Sequence, residues 1–244
     1  MTTRKAKAKA RLAISLFEVM NEEREFRGVL DRLRGRLVVS CQASEGDPLD
    51  DVGTLVRIAT SVLRGGAGGL RAEGAERVAA FRQITELPII GIMKSFDANG
   101  DVYITPDFLS AKAVSDAGAD IVALDCTARR LNAAEPWPGL IKRIQAELGR
   151  PVLADIASVD DAIAAERAGA DAVATTLYGY TAETAGARMP SWDLMERLMR
   201  QVKAPVVVGS AITRPETITA RFVAAAVEAV RQGSRSGVAR GVRD

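Results

Sequence analysis

Seven short apolar, β-branched runs recur along this chain, and the way each one opens alternates. They are RLVVSCQ (36–42), AGGLRAE (67–73), PIIGIMK (88–94), ADIVALDCT (119–127), PVLADIA (151–157), DAVATT (171–176) and APVVVGSA (204–211). Runs two, four and six open through glycine, as GGAGGLRA, AGADIVALD and AGADAVATT. Runs three and five open through proline, as ELPIIGIMK and GRPVLADIA. Near-continuous apolar runs of this length suit strands buried on both faces, as in a parallel sheet. Amphipathic stretches such as LSAKAVSDAG and DDAIAAERAG lie between them and read as helices stopped by glycine. Strand and helix in strict alternation describe a doubled βα unit.

Polar residues gather at the carboxyl end of nearly every run: Gln42, Arg71, Lys94, Asp125, Asp155, Thr176 and Ser210. A doubly wound sheet places ligands at strand carboxyl ends only near its switch point. A (β/α)8 barrel uses that end of all its strands, so the expected fold is α/β, a TIM-type barrel.

The rhythm lacks one beat. In QVKAPVVVGSAITRP (201–215) a seventh strand opens through proline as expected, but no glycine-opened eighth strand follows, and no helix separates the two. The segment reads as a seam joining the front of strand seven to the back of strand eight, leaving seven recognisable strands. From Arg36 to Val230 the chain has roughly 195 residues, about one βα unit short of a full barrel. The expected organisation is a helical extension over 1–34, the barrel over 35–232 and a Gly- and Arg-rich disordered tail over 233–244. The KAKAKAR stretch in the extension reads as a solvated end. The following LAISLFEVM is short, is interrupted by Glu18 and has no small-residue cleavage site after it, unlike a secretory leader.

Composition narrows the chemistry. The 244 residues include no histidine. That removes Ser-His-Asp and Cys-His nucleophilic sites and nearly all catalytic zinc sites, so acid–base work falls to Asp, Glu, Lys, Tyr or Cys. The 33 basic and 31 acidic residues leave a net charge of +2, which gives no electrostatic case for nucleic acid or membrane partners. Two cysteines, Cys41 and Cys126, make no disulfide scaffold and suit a reduced, cytoplasmic protein.

Eight stretches carry a resemblance: SCQASEGDPL (40–49), GLRAEG (69–74), PIIGIMKSF (88–96), DVYITP (101–106), ADIVALDCTARR (119–130), ADIAS (154–158), TTLYGYT (175–181) and VGSAITRPETITARF (208–222). In this order they resemble the N-acetylmannosamine-6-phosphate 2-epimerases, among the ribulose-phosphate-binding barrels. The resemblance implies interconversion of N-acetylmannosamine 6-phosphate and N-acetylglucosamine 6-phosphate, a step in amino-sugar and sialic acid catabolism. A proton leaves C2 and one returns on the opposite face. Because C2 lies α to a carbonyl in the open-chain sugar, no redox cofactor is required. Lys94 matches the family's catalytic lysine, and dehydration at a barrel mouth should lower its pKa. Gln42, Arg71, Asp125 and Asp155 match positions facing the sugar, with Thr176 and Tyr178 as further substrate candidates. Asp155 could instead form a structural ion pair, Asp125 could hold Arg129, and Tyr178 could pack against its neighbours. Gly209, Ser210 and Arg214 match the phosphate end, where a helix opening near Pro215 would present free amides.

One departure stands out. The family's strand seven ends in Ala-Glu-Gly, and its glutamate is the second proton-transfer group; here APV runs straight into VVGSAITRP, and no residue matches it. The resemblance therefore implies an epimerase impaired in inversion. The alternative is a non-catalytic protein that binds sugar phosphates. An unfilled gap would also expose strand edges, for which association of identical chains is one remedy.

Overall fold

The computed structural model of the chain describes residues 28–34, 36–43, 45–186, 192–201 and 206–207. Among the described residues, seven parallel strands form one sheet: β1 (Val38–Ser40), β2 (Gly69–Glu73), β3 (Ile89–Ile92), β6 (Ile121–Asp125), β7 (Val152–Asp155), β8 (Ala172–Ala174) and β9 (Val206–Val207), in that spatial order. These are the seven runs read from the sequence. Helices α1 (Val52–Arg64), α2 (Ala75–Arg82), α3 (Phe108–Asp116), α4 (Trp137–Leu148), α5 (Val159–Ala168) and α6 (Trp192–Gln201) connect them. The fold is thus the expected TIM-type arrangement, with seven sheet strands among the described residues. β9 takes the seventh place, pairing Val206 with Val173 and Val207 with Ala174. The remainder of the 204–211 run, the extension before residue 28 and the tail over 233–244 lie outside the described residues.

Side chains alternate across the pleat, and the alternation builds two apolar layers. Leu70, Ala72, Val122, Leu124, Val152, Ala154 and Val173 face the helices and pack with Leu55, Val78, Phe81, Val114, Ile141 and Ile144. Val38, Ile90, Ile92, Ile121, Ala123, Leu153, Ala172 and Ala174 form a separate inner cluster. Helical residues 28–33 close onto that inner cluster through Val29, Leu30 and Leu33. Gly69 permits this approach: a Cβ there would lie 2.9 Å from Leu33 Cδ2 and 2.8 Å from the Pro88 carbonyl.

The helices start and stop as their ends dictate. Asp51, Asp107 and Ser158 accept the amides of Thr54, Ser110 and Asp161 at the starts of α1, α3 and α5, and left-handed Gly149 and Gly169 end α4 and α5.

The alternation of proline and glycine has a direct physical cause. Each Ala-Gly-Ala-Asp segment places its aspartate beside the proline-opened strand that precedes it. Asp120 accepts the Ile89 amide at 2.8 Å, and its own amide returns to Ile89 O at 2.9 Å. Asp171 does the same with Val152, at 2.8 and 2.9 Å. The prolines donate no hydrogen bond, so the first strand amide is the one after them, and the aspartate satisfies it.

One element differs from the sequence reading. The run 88–94 is not a single strand. β3 ends at Ile92, and Lys94 begins a two-stranded antiparallel hairpin, β4 (Lys94–Phe96) with β5 (Val102–Ile104). The turn is held by Asp97, whose Oδ1 accepts the amides of Asn99 and Asp101, each at 2.9 Å, with Gly100 at φ 83°. Those amides, Asp101 first, hold the Asp97 carboxyl below the usual range.

Burial pushes the Asp171 carboxyl above the usual carboxylate range, against the hydrogen bonds from Val152 and Gln145. The folded chain therefore keeps this proton to higher pH than the unfolded chain, so stability falls as pH rises from the ordinary carboxylate range through the raised one. In urea melts over pH, Asp171→Asn should flatten that decline. Asp171→Ala, which leaves the Val152 amide unpaired, should cost about 1–3 kcal/mol at any pH; an unchanged midpoint would overturn the assigned role.

Candidate active site

Arg71, Asp125 and Asp155 share the inward parity of the inner cluster, so the strand alternation brings them to one end of the sheet. Arg71 of β2 and Asp155 of β7 meet there. Arg71 Nη1 and Nη2 donate to Asp155 Oδ1 and Oδ2 at 2.9 and 2.6 Å. Two strands, β3 and β6, separate β2 from β7 in the sheet, so this pair reaches across the concave interior. Arg71 is 7% exposed and Asp155 0%. Two buried charges are tolerable only because the contact is bidentate, with Nη1 and Nη2 each meeting its own carboxylate oxygen.

Asp125, at the end of β6, is held differently. Its Oδ1 accepts the Thr127 amide at 3.0 Å and the Thr127 hydroxyl at 2.6 Å; its Oδ2 accepts Arg129 Nη2 at 2.8 Å. Arg129 also donates to Val102 O at 2.6 Å and lies 4.3 Å over the Tyr103 ring. The aspartate end of β6 thus anchors an arginine that grips the hairpin. The contact with Arg129 left open for Asp125 by the sequence forms.

Lys94 opens the hairpin, paired in register with Ile104, and is half-buried. Gln42, two residues beyond β1, donates to Ser40 Oγ at 2.7 Å. Thr176 lies in the 3-10 turn Thr175–Leu177 that ends β8. Tyr178 packs against the helix-facing layer and lines a cleft of about 560 Å³ with Ser158, Glu183, Thr184, Leu194 and Arg197. Gly209, Ser210 and Arg214 lie outside the described residues.

Asp161 binds the loops after β6 and β7 together, accepting the amides of Ala128 at 3.1 Å and Ala157 at 3.2 Å. Burial nonetheless raises its pKa. Neither thiol is poised for chemistry. Burial pushes Cys41 up to about 12, and it raises Cys126 well above the ordinary thiol value, helped by Asp155, Asp125 and Asp161. Cys126 packs in the helix-facing apolar layer. Arg129, Thr127 and Thr105 were not among the site residues read from the sequence; Arg129 entered there only as a partner Asp125 could hold, and the one signal for Thr127 and Thr105 is membership of the ADIVALDCTARR and DVYITP stretches. Among the described residues no helix is long and apolar enough to cross a membrane.

The family model described as "Putative N-acetylmannosamine-6-phosphate epimerase" matches residues 55–204. A relative from Synechococcus elongatus, named for the corresponding 2-epimerase, is 47% identical over 180 residues, covering 73% of this chain and 78% of its own. One from Clostridioides difficile with the same name is 40% identical over 220 residues, covering 81% and 98%. A solved structure, the N-acetylmannosamine-6-phosphate 2-epimerase from Clostridium perfringens, superposes with a TM-score of 0.74 at 34% identity, covering 80% of this chain and 94% of that one.

The buried ion pair generates a stability prediction. Asp155→Ala strands the Arg71 charge in the interior and should cost about 3–5 kcal/mol, whereas Arg71→Met with Asp155→Leu should cost much less. Urea unfolding of the single and double variants checks this. Equal losses would show that packing volume, not charge pairing, sets the cost.

Proposed function

Since the chain belongs to the N-acetylmannosamine-6-phosphate epimerase family, we propose that it interconverts N-acetylmannosamine 6-phosphate and N-acetylglucosamine 6-phosphate. The reaction removes the C2 proton of the open-chain sugar and returns one to the other face. Lys94 is the proton-transfer group. The observation that supports this assignment is that Lys94 opens a hairpin planted on the interior end of β3, at the same end of the sheet as the Arg71–Asp155 pair. A carbanion α to a carbonyl needs a base within hydrogen-bond reach and fixed donors for the developing enolate oxygen. Arg71, pre-oriented by Asp155, presents such donors, and Gln42 and Thr176 supply neutral polar groups at neighbouring strand ends. Asp125 serves the site through Arg129 and the hairpin. Tyr178 borders the substrate from the loop after β8. Gly209, Ser210 and Arg214 take the phosphate, whose binding energy is developed far from the reacting carbon. Sugar phosphates and two unpaired cysteines agree with a cytoplasmic setting.

The sequence has no counterpart to the family's Ala-Glu-Gly glutamate at the seventh strand. A single acid–base group is typically worth about 10²–10⁴-fold in rate, so inversion should be slowed by that order while C2 proton exchange persists. The test is proton NMR of N-acetylmannosamine 6-phosphate with the full chain in D2O. Loss of the C2 proton signal ahead of the gluco epimer is expected, and Lys94→Met should abolish both. No exchange by the folded chain would overturn the epimerase reading. Inversion as fast as in a relative that keeps the glutamate would overturn the impairment.

A further inference from the structure

We propose that Thr105 is the positioning residue for Lys94, a hydroxyl clamp that fixes the lysine's backbone where β3 leaves the sheet. This rests on the reading of Lys94 as the proton-transfer group and extends it to a residue that touches no reacting atom.

The argument begins with an unmet hydrogen bond. β3 pairs with β6 only through Ile90 with Ile121 and Gly91 with Val122. Beyond that point the chain turns away into the hairpin, so the next carbonyl of β6, on Ala123, has no strand partner from β3. The peptide of Met93, at the break between β3 and β4, likewise loses the ladder on that side. Buried backbone groups in this state must be satisfied by something. Thr105 satisfies all of them. Its hydroxyl donates to Ala123 O at 2.6 Å and accepts the Met93 amide at 3.2 Å; its own amide donates to Met93 O at 2.6 Å. Both polar groups of the residue immediately before Lys94 are therefore bound to one side chain and one amide, and that side chain is tied to the sheet.

A second feature marks the position. Thr105 has φ 47° and is the one non-glycine with positive φ among the described residues. It is β-branched, it precedes Pro106 and it is 1% exposed. A left-handed threonine is a strained conformation that persists only where the surroundings over-determine it. Glycine or asparagine would adopt this backbone more easily. Neither carries a hydroxyl that can donate to Ala123 while accepting from Met93, and that double bond is what the strain secures.

The hairpin is also gripped from its face by Arg129, through Val102 O and the Tyr103 ring. Arg129 fixes where the arm lies, while Thr105 fixes the peptide from which Lys94 projects.

The test uses the full chain with three variants at position 105. Thr105→Val keeps the shape and removes the hydroxyl. Thr105→Gly removes the hydroxyl and relieves the strain at φ 47°, so it retains a folded chain where the valine does not. Thr105→Ser keeps the hydroxyl and serves as the rescue. Two readouts are taken well below the unfolding midpoint: C2 proton exchange of N-acetylmannosamine 6-phosphate in D2O, and the 13Cε resonance of Lys94 in lysine-labelled protein, assigned by its absence in Lys94→Met. A displacement of about 1 Å can cost on the order of 10²-fold. The expected result is a kcat for exchange lowered about 10–100-fold in Thr105→Val and Thr105→Gly, with KM little changed, a displaced Lys94 resonance, and near-native behaviour in Thr105→Ser. A Lys94 resonance and kcat that ignore removal of the hydroxyl would overturn the clamp. Exchange that survives Lys94→Met would instead overturn the catalytic reading of Lys94, leaving the resonance shift to decide the clamp alone.

Discussion

The contact between Arg71 and Asp155 organises the interior end of this fold. It joins strands with two others between them in the sheet, which a flat sheet could not allow. Everything at the carboxyl ends of the strands is arranged around that chord. Inside it, the inner cluster from Val38 to Ala174 stays apolar. Beyond it, polar side chains gather. The pair marks the level at which an apolar interior gives way to a place where charge can be handled, and it does so with both charges already committed. A guanidinium held this firmly keeps its geometry when a substrate oxygen arrives, so little reorganisation is left to the moment of binding.

The hairpin is the second departure from a plain barrel. Leaving the sheet after Ile92 costs the ladder its regular partners, and Thr105, Asp125 and Arg129 absorb that cost. What results is a short antiparallel arm with Lys94 at its root and Phe96 exposed towards its turn. A lysine at the end of an ordinary strand would take its direction from the pleat. Here its direction is set by the hairpin's attachments, one to β6 at Ala123 and one to Arg129 in the turn that follows β6.

Most of the sheet was legible because its strands are buried on both faces and announce themselves as apolar runs. The order of strands and their parallel sense follow from the alternation of apolar runs with amphipathic helices, and the family resemblance placed Gln42, Arg71, Asp125 and Asp155 at the sugar-facing ends. The hairpin was not legible as a strand break. PIIGIMK is apolar throughout, and periodicity carries no mark at Met93; the only hint was the Asn-Gly turn between KSF and DVYI. The bond between Arg71 and Asp155 was also out of reach, since the two lie 84 residues apart on strands that do not touch. Each matches a sugar-facing position of the family, and whether the two also face one another depends on curvature. Thr105 was invisible for a different reason. Its importance comes from a carbonyl that loses its partner, and no side-chain pattern records that.

The aspartate clasps at Asp120 and Asp171 carry a consequence for how such a chain can grow or shrink. Each clasp binds a proline-opened strand to the glycine-opened strand that follows it, so the structural unit is a couple, and the architecture counts in even numbers. Pro205 opens a couple whose second member, with its Gly-Ala-Asp, is absent from the sequence. A chain that loses half a couple forfeits more than a strand's worth of packing. With that member goes the carboxylate that, in the two complete couples, accepts the first strand amide at Ile89 and Val152, so what the sequence loses there is a fastening as well as a strand.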